Sequence, residues 1–286
     1  MIHFGPGGNC EWFKAEGNKN SAQMPAFLKK IGLTAYEVEC GRGVRMNDQV
    51  AKELKAEAER CGITLSIHAP YYISMSSLEE EKRNGSIRYL MESAALARKI
   101  GAKRIIFHSG SCAKLSREEA LSLASDTLRK AVDAFDHEGY WDLILCPETM
   151  GKINQLGSLE EVMALCQIDA RILPTIDFGH LNAREQGLFY TAADYERVLQ
   201  TMEDALGAER AKRFHAHFSK IEYTTGGEKR HLTFEDQQYG PTFEPLAEVL
   251  VRRGAEPIII CESAGTQSKD ALAMQALYSV AKAKMQ

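Results

Sequence analysis

The chain has 286 residues, 44% hydrophobic and 26% charged, an ordinary globular composition with ample material for a core. Its net charge of −4 argues against a protein that holds nucleic acid by bulk positive charge and leaves room only for a local basic groove. No run approaches the roughly 18 apolar residues of a membrane helix, the opening MIHFGPGGN does not read as a secretory leader, and seven scattered cysteines with no CxxC pair exclude a disulfide framework and point to a reducing, cytoplasmic setting.

Short apolar runs alternate with longer amphipathic ones. The predicted strands are Ile2–Phe4, Ala35–Glu39, Thr64–His68, Arg104–His108, Leu143–Pro147, Ile172–Asp177, Arg213–Phe218 and Pro257–Cys261. Several are rich in Ile, Leu and Val and are bounded by Gly or Pro, as buried parallel strands are. Helical periodicity follows most of them. It covers Val50–Arg60, Ile87–Ile100, Ala192–Leu206, Phe243–Arg253 and Lys269–Lys284. Ser116 with Glu119, and Ser158 with Glu161, read as capping boxes that open two more helices. Eight strand–helix alternations predict one α/β domain over 1–286, a single (β/α)₈ TIM barrel. An open doubly wound sheet is the competing architecture.

The polar residues that can hold a metal fall at one end of these strands. His68 and His108 end strands three and four, and Glu148 follows strand five. Asp177 ends strand six, with His180 three residues on. His215 and His217 lie in strand seven, His231 in the loop after it, and Glu262 follows strand eight. In a barrel those ends converge on one mouth, where active sites are built. Imidazoles mixed with carboxylates suit Zn²⁺ or Mn²⁺. Glu148 and Glu262 each follow an apolar run, so each demands a partner if buried. His3 and His137 read as structural or exposed.

The segments SIHAPYYIS, IIFHSG, CPETMGK, PTIDFGH, FHAHFSK, KRHL and IIICES, in this order along essentially the whole chain, resemble the endonuclease IV family, also called family 2 AP endonucleases. The resemblance implies a monomeric hydrolase of DNA repair. It would hold up to three divalent ions, Zn²⁺ first and Mn²⁺ as the alternative, and cleave damaged duplex DNA 5′ to an abasic site. It implies His68 and His108 on a first metal, Glu148 bridging to a second completed by Asp177, His215 and Glu262, and His180 with His231 on a third. Tyr71 and Tyr72 would meet the DNA at the lesion, and Arg42 and Arg45 its backbone. Glu148, Lys220 and Lys229 would serve catalysis, the lysines by neutralising developing charge.

The chain departs from the family at Lys229, which stands where a third-site carboxylate belongs. An ammonium cannot ligate a metal. Either Glu228 or His217 replaces the carboxylate, or Lys229 meets a phosphate directly. His217 is otherwise a substrate-binding candidate. The chain also resembles sugar isomerases and epimerases of the xylose isomerase-like superfamily. Those hold one metal with a Glu, Asp, His, Glu quartet, matched in order by Glu148, Asp177, His215 and Glu262. This second resemblance implies a small sugar substrate. The segment Ile221–Gly240 is expected to be a loop over the site.

Overall fold

The computed structural model describes residues 1–285. Its strands in chain order are β1 (His3–Pro6), β2 (Ala35–Glu39), β3 (Thr64–His68), β4 (Arg104–Phe107), β5 (Ile144–Pro147), β6 (Thr175–Asp177), β7 (His215–Phe218), β8 (Ile221–Thr224), β9 (Gly227–His231) and β10 (Ile258–Cys261). All but β8 and β9 are parallel, and they pair in two arcs, β1-β10-β7-β6 and β2-β3-β4-β5. The arcs meet at both seams. At one, Gly7 bridges Glu37 and the Gly8 N–H donates to the Glu37 carbonyl at 3.0 Å. At the other, Glu148 bridges Thr175 and the Thr149 N–H donates to the Thr175 carbonyl at 3.0 Å. The parallel strands therefore close into a (β/α)₈ TIM barrel, as the alternation predicts.

The helices pack one face each against this barrel. Asp48–Cys61 buries Ala51, Leu54 and Ala58, spaced as one helical stripe. The capping box at Ser116 is made in both directions. The Glu119 N–H donates to Ser116 Oγ (3.2 Å), and the Ser116 N–H donates to Glu119 Oε2 (2.8 Å). At Ser158 the box is tied further into the fold. Glu161 accepts from the N–H groups of Gly157 and Ser158 and from the Arg117 guanidinium, which joins helix Leu159–Cys166 to helix Arg117–His137.

Strand ends differ from the sequence reading by one to three residues, most at β6, which starts at Thr175 rather than Ile172. β1 is His3–Pro6 rather than Ile2–Phe4, and His108 lies just beyond β4. Helices Glu11–Ala15, Met24–Ile31, Phe178–Arg184 and Ala208–Lys212 are not predicted by periodicity. Each is shorter than the roughly 12 residues an isolated helix needs, so tertiary packing makes them. The segment 221–240 is not a plain loop. It opens with the antiparallel hairpin β8–β9.

Two faces of each barrel strand are buried. On β7, Ala216 and Phe218 point outward, where Phe218 meets Phe243 edge-on at 5.0 Å. His215 and His217 alternate with them and point into the barrel. No helix among the described residues is long and apolar enough to cross a membrane. All seven cysteines are free.

Candidate metal centre

The C-terminal strand ends bring six carboxylates and six imidazoles together. They form overlapping groups able to hold a metal: His68, His108 and Glu148; Glu148, Asp177, His217 and Glu262; His180, Glu228 and His231; Glu37, His215 and His217; and Glu37, Glu39 and Glu262. Glu148 is the hub. Its Oε2 lies 3.2 Å from the Nε2 atoms of both His68 and His108, and its Oε1 lies 3.0 Å from His217 Nδ1 and 3.4 Å from His180 Nδ1.

Outer contacts aim the rings. His68 Nδ1 donates to the Ala69 carbonyl at 2.9 Å, and His180 Nδ1 donates to the Thr149 carbonyl at 2.9 Å. A carbonyl can only accept, so each Nδ1 carries the proton and each Nε2 is left as a ligand atom. His231 Nδ1 lies 2.9 Å from Ser219 Oγ, a hydroxyl able to donate or accept, which orients that ring. Asp177 caps helix Phe178–Arg184, its Oδ1 accepting from the His180 N–H at 2.7 Å. One turn of helix thus carries two ligand residues on a shared hydrogen bond.

The hairpin delivers Glu228. Its Oε2 lies 3.5 Å from His180 Nε2 and its Oε1 3.9 Å from His231 Nε2. The hairpin docks on the segment after β5 because glycines meet there. A Cβ on Gly227 would stand 2.1 Å from the Gly151 carbonyl oxygen, and one on Gly151 would stand 2.6 Å from Glu228 Cβ. Gly227 also has φ +89°, a conformation L side chains rarely adopt.

These charges are out of water and compensate one another. Burial pushes the Glu148 carboxyl up, but the His217 charge and the bonds from His108, His180 and His217 overcome it and hold the group well below the usual range. Glu37 behaves alike, burial being outweighed by His217 and His215. Burial lowers His215 to about 4 despite Glu37 beside it. For His68, burial acts downward, but Glu148 and Glu39 reverse it and raise the ring to about 10. Burial, opposed by His217 and reinforced by Glu148 and Asp177, raises Glu262 to about 8.

The donor set fits a metal. Asp177 Oδ2 and both ring nitrogens of His215 are buried with no hydrogen-bond partner. An orphaned buried carboxylate oxygen is costly, and a cation beside it removes the cost. Three or four His and carboxylate donors per group are what Zn²⁺ or Mn²⁺ takes. A pH effect follows. At pH 7 the metal-free centre holds protons on His68 and Glu262, and ligation must expel them. Affinity for Zn²⁺ should therefore rise about tenfold per unit of pH for each proton displaced. The rise should continue above pH 6 and lose one proton's share near pH 8. Calorimetry at several pH values reads this, and a flat affinity between pH 6 and 8 would refute it.

His68, His108, Glu148, Asp177, His180, His231 and Glu262 meet in the centre, as the strand-end pattern predicts. Strand seven puts both of its imidazoles in ligand groups, at different depths. His217 pairs in register with Asp177, whereas His215 pairs with Thr175, one layer deeper. His217, expected to touch substrate, therefore joins Glu148, Asp177 and Glu262, while His215 faces Glu37. The two lysines are engaged away from the ligand groups. Lys229 is exposed and pairs with Glu222 at 2.5 Å, because alternation on β9 turns it away when Glu228 turns in. Lys220 donates to the Phe234 carbonyl (3.0 Å) and the Asp236 carbonyl, so its ammonium ties down the chain after the hairpin. Glu37 and Glu39 join the ligand groups without being expected from the sequence. Two carboxylates at alternate positions in an apolar strand are the signal that could have found them.

A groove of about 760 Å³ opens beside the centre, lined in part by Lys19, Arg42, Arg45 and Tyr71. It shares Tyr71, His231 and Glu262 with the cavity of about 290 Å³ over the metal ligands. Tyr71 stacks on His108 with centroids 5.3 Å apart and is 55% exposed. Tyr72, equally exposed, leans on Tyr89 at 5.8 Å, outside the ligand groups. His3 lies 3.1 Å from Thr34 Oγ1, far from the mouth, and His137 is exposed.

The chain is similar to known proteins to differing extents. An uncharacterised protein of Methanocaldococcus jannaschii is 35% identical over 236 residues, 82% of this chain and 84% of the relative. A probable endonuclease 4 of Acholeplasma laidlawii is 26% identical over 177 residues, so the chain spans about three-fifths of that relative, 59% of its length. Among solved structures, endonuclease IV from Thermus thermophilus superposes with a TM-score of 0.69 at 20% identity, covering 97% of this chain and 99% of that one. An L-ribulose 3-epimerase reaches 0.68 at 15% identity, covering 100% and 97%. Fold likeness thus extends equally to a nuclease and to a sugar enzyme. The model of the xylose isomerase-like TIM barrel family matches residues 25–280, and the chain belongs to that family.

Proposed function

We propose that this chain, folded as one barrel domain, is a metal-dependent phosphodiesterase that cuts DNA 5′ to abasic sites, with Zn²⁺ as resident ion and Mn²⁺ as the alternative. One observation carries the reading. Two further ligand groups, His68–His108–Glu148 and His180–Glu228–His231, flank the quartet of Glu148, Asp177, His217 and Glu262. A one-metal sugar enzyme has no use for them. Bound ions in these groups would offset charge on the scissile phosphate and the leaving 3′ oxygen and lower the pKa of the attacking water.

The chain's own residues would do the rest. Glu148 links the first group to the quartet and sets their spacing. Tyr71, stacked on His108, offers an aromatic face to a nucleotide at the mouth. Arg42, Arg45 and Lys19 line the adjoining groove and would meet backbone phosphates. An abasic nucleotide leaves the helix at lowest cost, having no base to unstack, which would supply lesion selectivity.

The quartet also stands complete by itself, and this favours a second reading, a sugar epimerase or isomerase in which two glutamates move a proton beside a carbonyl. A labelled duplex with one stable abasic analogue separates the two. Metal-loaded protein should nick it 5′ to the lesion, and EDTA treatment or His68→Ala should abolish the nick. If demonstrably loaded protein leaves the duplex intact but epimerises a ketose, the second reading replaces the first.

A further inference from the structure

We propose that Glu37 is a positioning residue of the metal centre, holding the His217 ring from beneath so that Nδ1 faces Glu148, Asp177 and Glu262. This rests on reading that quartet as a metal site. Strand β7 points two imidazoles into the barrel, and alternation alone makes them equivalent. Glu37 makes them different. Its Oε1 lies 2.8 Å from His217 Nε2, while His217 Nδ1, across the ring, lies 3.0 Å from Glu148 Oε1 and 3.5 Å from Glu262 Oε2. A neutral imidazole has one proton. Both ring nitrogens face carboxylates, but a cation held with Glu148, Asp177 and Glu262 would take the Nδ1 side, and Glu37, which can only accept, would keep the ring's one proton on Nε2.

Glu37 is itself held. Ser66, its register partner on β3, donates Oγ–H to Glu37 Oε2 at 2.7 Å. His215 Nε2 stands 3.0 Å from the same oxygen without the alignment of a hydrogen bond. Glu37, Ser66, His215 and His217 are all buried, so no solvent is at hand to take over their contacts. The tautomer is the reverse of that at His68 and His180, whose Nδ1 atoms bind backbone carbonyls.

The test uses the whole chain, stripped of metal and titrated with Co²⁺, read by d–d absorption. Wild-type protein should bind Co²⁺ with a visible spectrum. Glu37→Gln should keep the same number of ions, with one site weakened about 10- to 100-fold and its band shifted, as loss of an outer-shell carboxylate does. Ser66→Ala should shift it in the same direction by less. Nitrogen-15 spectra of zinc-loaded wild type, which need no variant to fold, should show His217 as the Nε2–H tautomer. An unchanged Co²⁺ affinity and spectrum in Glu37→Gln overturns the proposal. So does an Nδ1–H His217, or the loss of one whole equivalent, which would make Glu37 a ligand. No Co²⁺ bound by wild type would instead sink the metal reading itself, and this proposal with it.

Discussion

Glu148→Gln should abolish metal-dependent turnover while the barrel stays folded. Glu148 belongs to two ligand groups and stands within 3.4 Å of ring nitrogens on His68, His108, His180 and His217. An amide removes a negative charge that four imidazoles share and offers one weak oxygen donor in place of two strong ones. The effect should exceed the 10- to 100-fold typical of outer-shell changes, so a loss of more than about 100-fold is expected. Metal content should fall as well, measured by atomic emission on protein whose circular dichroism matches wild type. Near-full turnover with full metal content would remove Glu148 from the mechanism.

The second large effect is a contrast between neighbours. Glu228→Ala should cost one bound ion and reduce turnover at least about tenfold, because it strips the carboxylate from the group with His180 and His231. Lys229→Ala should change neither metal content nor turnover, since its ammonium reaches only Glu222 in solvent. The same metal analysis and nicking assay read both variants. A silent Glu228→Ala beside a damaging Lys229→Ala would mean that the hairpin turns its other face to the site when substrate binds.

These neighbours show where sequence reading reaches its limit. Setting Lys229 against a family pattern places an ammonium where a carboxylate belongs, with Glu228 only one of the substitutes. A hairpin strand turns alternate residues to opposite faces, so a register change of one residue exchanges them. β8–β9 carries such a shift between Glu222 and Tyr223. The pairing of β8 with β9, and the close approach of Gly227 to Gly151, settle the register in favour of Glu228. The second of these contacts reaches outside residues 221–240, to the segment after β5.

Strand seven repeats the lesson. His215 and His217 have the same facing and the same chemistry along the chain. Pairing of β7 with β6 puts His217 level with Asp177, and Glu37, distant in sequence on β2, gives each ring its role. Glu37 itself was hidden because a carboxylate inside an apolar strand signals a need for a partner without saying which partner.

Local order in the sequence was enough for the barrel and for its mouth as the place of chemistry. Apolar runs and helical stripes depend on neighbours a few residues apart, and parallel closure puts every strand's C-terminal end on one side, whatever the details of packing. His68, His108, Glu148, Asp177, His180, His231 and Glu262 were legible for that reason, each at or beyond the end of a strand. The choice between His215 and His217, between Glu228 and Lys229, and the part played by Glu37 came only with the tertiary structure. Each is decided by distances of 3–4 Å between residues far apart in the chain, and those distances follow from strand register and barrel closure.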